Sequence, residues 1–315
     1  MSRFASVLLL LCSLVICAQS AQNTQNKDAQ DKNDDTRGII PEEFAKARPA
    51  KGQHPNNASH KTSYRRIGPK PATDSKVTGL GQLGVTVWRL RPATAADSGA
   101  RIIVHKESGD AELIPQRLSI DTPLHVRDRI RLTFESPQEG FLYVIDREQY
   151  ADGTFGEPVL IFPTTRLHNG DNQVAAGKLI EIPAQEDQPN YFTVEQSQGR
   201  EESQTGEVLT VIVAAKPLTE ITIGREALKI NAEQLAHWEK QWGGKTEVFD
   251  LVGGEGRSWT RVEQEAGAGT SRQLTQTDPE PQTVYRVAVK SGSPLLVNVG
   301  LRYSKTTSAS PKQKQ

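Results

Sequence analysis

The sequence predicts a mostly β protein, a β-sandwich carrying one packed α-helix and flanked by a disordered N-terminal linker and C-terminal tail. Three observations predict it. Residues 127–163 have the period of three consecutive strands, and further short runs of strand composition recur down to residue 303 with turn residues between them. One amphipathic stretch near 231–242 has helical spacing instead. No repeat at a period of roughly 20 to 50 residues is visible, which argues against a propeller or solenoid.

The first of these stretches organises the rest. In 129–135, Ile130, Leu132 and Phe134 alternate with Arg129, Arg131, Thr133 and Glu135, so one face is expected to meet a core and the other water. Ser136, Pro137 and Gly140 then supply the chemistry of a reversal. Phe141, Leu142, Tyr143, Val144 and Ile145 are apolar at every position, as suits a central strand covered on both faces. After a polar tip at 146–157, residues Val159, Leu160, Ile161 and Phe162 form a third strand, which Pro163 ends by withholding a ladder donor. Phe134 and Phe162 are expected in the core.

Taken from its start, the chain opens with Arg3 and a predominantly apolar run, 4–18, followed by the small residues Ala18 and Ser20. That is the form of a secretory signal peptide spanning 1–20 and cut before Ala21. A spanning helix needs roughly 20 apolar residues, so an uncleaved anchor is the weaker alternative, as is a lipoprotein on Cys17, where Ile16 replaces the expected small residue. The expectation is an exported protein, periplasmic or secreted, without a transmembrane span. Cys12 and Cys17 are the two cysteines, so cleavage removes every thiol that could form a disulfide, bind a metal or act as a nucleophile.

Residues 21–78 are polar and nearly free of aromatic side chains, which predicts a disordered linker. Lys46, Arg48, Lys51, Lys61, Arg65, Arg66 and Lys70 fall there with no acidic residue among them, as a solvated segment or a tether to an anionic surface. Order is expected over 79–303, beginning with strand composition at 85–90. Further strands are expected at 179–182, 191–194, 207–214, 259–262, 284–289 and 295–303, the last alternating Leu295, Val297, Val299, Leu301 and Tyr303 with other residues. In the helical stretch, Asn231 can cap with Gln234 reaching back, and Ile230 and Leu235 are placed as a hydrophobic staple. Leu235, Trp238 and Trp242 share one face, for packing on a sheet or as an aromatic ligand platform, and Gly243-Gly244 ends the run. Residues 304–315 read as a disordered tail.

Lys plus Arg and Asp plus Glu both number 38, so no global field draws the chain to nucleic acid. The densest acidic stretch is 146–152, where Asp146, Arg147, Glu148, Tyr150 and Asp152 are the candidate ligand-binding residues, carboxylates two apart in an extended chain sharing a face. Counted back from Gly153, a calcium loop would need ligands where Tyr150 and Val159 stand, so no metal is expected, and Asp152-Gly153 reads more simply as a hairpin turn. His105, His125, His168 and His237 show no metal-pair spacing, there is no G-x-S-x-G elbow, and Gly253-Gly254-Glu255-Gly256 lacks the Lys-Ser/Thr of a phosphate loop. No catalytic residue and no cofactor is assigned. Arg127, Arg129 and Arg131 are expected as an exposed row that binds an anionic polymer or pairs with acidic residues on the next strand.

Asp128-Arg129-Ile130-Arg131-Leu132, Gly140-Phe141-Leu142-Tyr143-Val144-Ile145, Leu160-Ile161-Phe162-Pro163, Gly170-Asp171-Asn172, Ala176-Gly177, Ile182-Pro183 and Lys216-Pro217-Leu218 occur in that order. Residues 127–218 thereby resemble a bacterial family known as domain of unknown function 4384. The resemblance implies a β-rich accessory module, often appended to kinase or caspase-like domains, and brings no catalytic residues with it. The chain departs from that pattern in showing no such partner domain and in extending beyond the module on both sides. The functional expectation is an exported, non-catalytic binding or scaffolding module of the cell envelope, its partner a protein or an envelope polymer. The alternative is an exported hydrolase using Asp146, Glu148 or Asp152.

Overall fold

The computed structural model describes residues 39–50, 62–69, 79–95, 97, 101–104, 109–166, 170–201, 203–269 and 272–304. The expected signal peptide, both cysteines, His105, His168 and all of the tail beyond Ser304 lie outside those residues. The chain runs α1 (Ile39–Lys46), β1 (Tyr64–Ile67), β2 (Gly79–Pro92), β3 (Ile102–Val104), β4 (Ala111–Leu118), β5 (Arg129–Glu135) and β6 (Gly140–Tyr150). It continues with β7 (Val159–Phe162), β8 (Gln173–Val174), β9 (Leu179–Ile182), β10 (Phe192–Thr193), β11 (Gln204–Ala214) and β12 (Leu228–Lys229). The last elements are α2 (Ala232–Trp242), β13 (Thr246–Leu251), α3 (Arg261–Gly267), β14 (Thr283–Val289) and β15 (Leu295–Arg302).

Two antiparallel sheets pack face to face. The first is built on β2, whose Val85 pairs with Thr283 on one side and Phe134 on the other. One edge of β2 therefore receives β14 and then β4, and the other receives β5, which carries β9 and β10 on its far edge. The second sheet is ordered β12-β7-β6-β11-β15, with β8 continuing the β7 edge of β6. Between the sheets lie the alternate residues of each strand: Leu83, Val85 and Val87, Ile130, Leu132 and Phe134, Leu142 and Val144, Leu209, Val211 and Val213, and Leu295 to Leu301 in steps of two. Phe134 is 1% and Phe162 0% exposed, as period-two alternation requires of an inward face.

The outer face of the second sheet carries Tyr143, Ile145, Leu160, Ile212 and Leu296, and α2 lays Leu235 and Trp238 onto them. Trp238 and Trp242 stack at 5.4 Å between centroids, so both rings are used in packing. The Asn231 side chain accepts the Glu233 and Gln234 N–H groups at 2.7 and 3.2 Å, capping two donors the helix cannot satisfy itself. Asn231→Ala is expected to lower stability by about 1 kcal/mol in urea titrations, because nothing else at that exposed start replaces the cap.

The outer face of the first sheet departs from the sequence reading. Arg131, Thr133 and Glu135 point away from the core, as alternation says, yet all three are buried. Part of the cover, over Glu135 and the β13–β14 side of the sheet, comes from residues assigned to the disordered linker. Phe44 of α1 and Tyr64 of β1 join Phe249, Leu251 and Val284 in a small apolar cluster, and β1 extends the sheet by pairing with β13. The segment was missed because its composition is polar and its two aromatic anchors are isolated; its remaining anchor, Arg48, is a charge. Arg48 is 2% exposed and forms a two-pronged ion pair with Glu135 at 2.6 and 2.7 Å, while donating also to the carbonyls of Asp278 and Pro279. Burial works against that guanidinium charge, but the Glu135 carboxylate outweighs it and holds the group above its ordinary value.

α3 completes the cover where the sequence suggested a strand at 259–262. Its start is a capping box: Thr260 Oγ1 accepts the Glu263 N–H, and Glu263 accepts the Thr260 N–H in return. Trp259 and Val262 gave that run its strand-like look, and both are used as packing residues, Trp259 beside Trp88 and Val262 beside Leu179 and Leu274. The described residues thus hold three helices where one was expected. They also hold strands at β3, β4 and β13 that were not expected. Two further ion pairs, Arg131–Glu181 at 2.6 Å and Arg117–Glu263, are buried beneath this cover.

Candidate functional site

The five residues singled out from the sequence lie at the end of β6, which does not stop at Ile145 but runs on through Tyr150. The strand continues into a hairpin: Gln149 bridges Phe155, the Tyr150 N–H donates to Thr154 O at 3.0 Å, and Gly153 takes φ +83°, which glycine adopts at little cost. Asp152 sits in that turn, its Oδ1 accepting the Thr154 N–H and hydroxyl. The Thr154 hydroxyl, with its backbone N–H, holds this exposed carboxylate below its usual range.

Because β6 is extended, its residues alternate between two faces. Arg147 points outward to α2, donating to Glu239 at 2.6 Å and lying over the Phe155 ring at 4.7 Å. Asp146 and Glu148 point inward at the end of the sandwich, where Glu207 of β11 stands opposite Glu148 in register. Tyr150 follows on that side, buried under the Arg200 guanidinium at 3.5 Å from the ring centroid. Burial raises the Asp146 carboxyl well above its ordinary value, and the neighbouring Glu207 and Glu148 charges add to the rise. Asp146 Oδ1 is enclosed without a hydrogen-bond partner. Glu207 is raised as well, by burial first, although the Tyr303 hydroxyl donates to it. Glu148 accepts from the Ser197 hydroxyl at 2.9 Å.

This arrangement separates the three carboxylates proposed for hydrolysis. Asp146 and Glu148 face the sandwich interior and Asp152 faces solvent in a turn, so they do not converge on one opening. Among the described residues no group of three or more His, Cys, Asp or Glu is placed to hold a metal ion. The arginines do not form an exposed row, but the expected pairing with an acidic residue on a neighbouring strand is made by Arg131. Arg127 lies before the strand at φ +74°, Arg129 stacks over Tyr191 at 5.3 Å, and Arg131 is wholly buried against Glu181 of the adjacent β9.

What the sequence did not reveal is a cleft of about 400 Å³ beside the hairpin, lined by 155–158 on one wall and 229–232 on the other. The walls are tied together where the Ile230 N–H donates to Pro158 O at 2.9 Å and where Lys229 pairs with Glu157 at the rim. Phe155 is 44% exposed, one of few large apolar side chains so placed among the described residues. Its signal in the sequence is an aromatic residue set alone among Asp152, Gly153, Thr154, Gly156 and Glu157. A second space, near Thr133, Glu135 and Glu263, measures about 10 Å³, enough for a single water at most.

No family model, curated protein or solved structure matches this chain.

Proposed function

We propose that the chain is an exported, non-catalytic binding module of the cell envelope, and that its ligand, a saccharide unit of an envelope polymer, lies in the cleft beside the β6–β7 hairpin. The observation that carries the reading is Phe155. Arg147 occupies one side of its ring, Glu239 fixes Arg147, and the rest of the ring is open to the cleft. An aromatic surface held this way offers contact area at little entropic cost, and Glu157, Lys229 and Asn231 set polar groups around it. A sugar ring has the matching chemistry, with C–H groups for the aromatic surface and hydroxyls or acyl amides for the polar rim. A protein partner needs roughly 800 Å² per side. The exposed apolar residues Leu80, Ile103, Val126, Phe155 and Val252 sit instead on separate elements. The signal-like segment 1–20 supports export, and the resemblance over 127–218 supports an accessory role.

Retention on isolated peptidoglycan sacculi, chitin and amylose tests this reading. Phe155→Ala is expected to cut retention on one of these polymers by about tenfold or more, the factor set by ~1.4 kcal/mol of lost aromatic contact. The unfolding midpoint should move little, since the side chain is half exposed. Equal retention of both proteins on all three would remove the cleft as the site. Release of reducing ends, abolished in Glu148→Gln, would favour the hydrolase.

A further inference from the structure

We infer that the cleft wall is proton-linked: protons held on Asp146 and Glu207, which flank the Glu148 side chain, keep the 151–157 hairpin in place, and their loss loosens that wall. The consequence for ligand binding rests on the cleft reading above; the linkage itself is a property of the fold.

The geometry is a stack of like groups in which Arg147, through its backbone N–H and its charge, offsets only part of what burial and the neighbouring carboxylates do to Asp146. Glu148 and Glu207 are cross-strand partners on one face, a pairing that destabilises when both are ionised, and Asp146 is the next residue along that face of β6. The groups around them are few. On β6, Arg147 turns its guanidinium to the other side of the sheet, to Glu239. On β7, Val159 stands opposite Asp146, and at the end of β15 the Tyr303 hydroxyl donates to Glu207. From the segment after β10, Ser197 donates to Glu148. No ion pair to any of the three carboxylates is present among the described residues, in contrast to the arginine partners given to Glu135, Glu181 and Glu263. Asp146 Oδ1, enclosed and without a partner, is an arrangement that costs least when the carboxyl is neutral.

The same stack touches the cleft. Gly156 lies on Glu148 so closely that a Cβ there would come within 1.8 Å of Glu148 Oε2, and its N–H donates to the Glu148 carbonyl at 2.9 Å. When repulsion drives Glu148 away from Glu207 and Asp146, the backbone at Gly156 must move with it. Gly156 and its neighbour Phe155 are the wall of the cleft. Raised carboxyl groups mean that the native state keeps protons the unfolded chain has released, so stability falls as pH rises from the ordinary carboxylate range through the raised values of Asp146 and Glu207. The folded state feels this first at the hairpin and at the segment around Ser197.

Hydrogen exchange of the full chain at pH 5 and pH 8, corrected for base catalysis, provides the test. Residues 147–158 and 196–204 are expected to lose about tenfold in protection at the higher pH, the factor that one pKa unit carries, while β2 and β14 do not change. Asp146→Asn, which copies the neutral carboxyl, should remove most of that loss, and Glu207→Gln gives the same reading should the first variant fail to fold. A loss of equal size in wild type and both variants would overturn the linkage, as would one spread evenly over β2 and β14. No ligand enters the measurement, so it can fail while Phe155→Ala still weakens polymer retention, and the reverse outcome is equally distinct.

Discussion

A chain beginning at Thr62 is expected to lose about 3 to 5 kcal/mol or more relative to the full chain, a large share of the stability of an ordinary domain. Two losses combine. Phe44 is 0% exposed in a cluster with Tyr64, Phe249, Leu251 and Val284, and removing a buried phenylalanine costs roughly 3 to 5 kcal/mol. Removing Arg48 strands Glu135, 2% exposed, without its guanidinium, and an uncompensated buried charge costs roughly as much again. The two sites are neighbours on one cover, so the terms need not add, and the larger of them sets the floor. Urea unfolding followed by near-ultraviolet circular dichroism measures the difference. A loss under about 2 kcal/mol would mean that residues 39–50 rest on the sheet without holding it.

That segment also shows where sequence reasoning stops. The inner faces of both sheets were legible because alternation is local: Ile130, Leu132 and Phe134, or Leu295, Val297 and Val299, declare their side within a few residues. The outer face of the first sheet was not, because Arg131 reads the same whether it meets water or a carboxylate 50 positions away. A buried arginine is recognised only through its partner, and partners are set by topology. The capping box of Thr260 and Glu263 was readable from spacing alone, but the apolar Trp259 and Val262 beside it outweighed it in a strand reading.

The candidate site divides in the same way. The density of charge at 146–152 was visible, but ending the strand at the last apolar residue, Ile145, turned five strand residues into a loop and lost the alternation that sends Arg147 to one face and Asp146 and Glu148 to the other. The second wall of the cleft, 229–232, runs from the end of β12 to the start of α2 and is brought alongside 155–158 by the pairing of β12 with β7. No spacing in the chain announces that pairing.

The buried pair beneath α3 gives the other large effect. Arg131 and Glu181 are both 0% exposed, with Nε–Oε1 at 2.8 Å and Nη2–Oε1 at 2.6 Å, and Arg131 also donates to the carbonyls of Pro183 and Asn190. Glu181→Ala is expected to cost roughly 3 to 5 kcal/mol, because it leaves a guanidinium in the interior with two carbonyls and no carboxylate. Joining it to Arg131→Leu removes that stranded charge. The double variant should therefore be more stable than Glu181→Ala alone, while still below wild type by the two orphaned carbonyls, at about 1 kcal/mol each. The resulting cycle should show a coupling near 2 kcal/mol or above, measured by urea unfolding of all four proteins. If instead Glu181→Ala costs under about 1 kcal/mol and the cycle is additive, water reaches Arg131, and the layer formed by α3 and the 39–50 segment does not seal the outer face of the sheet.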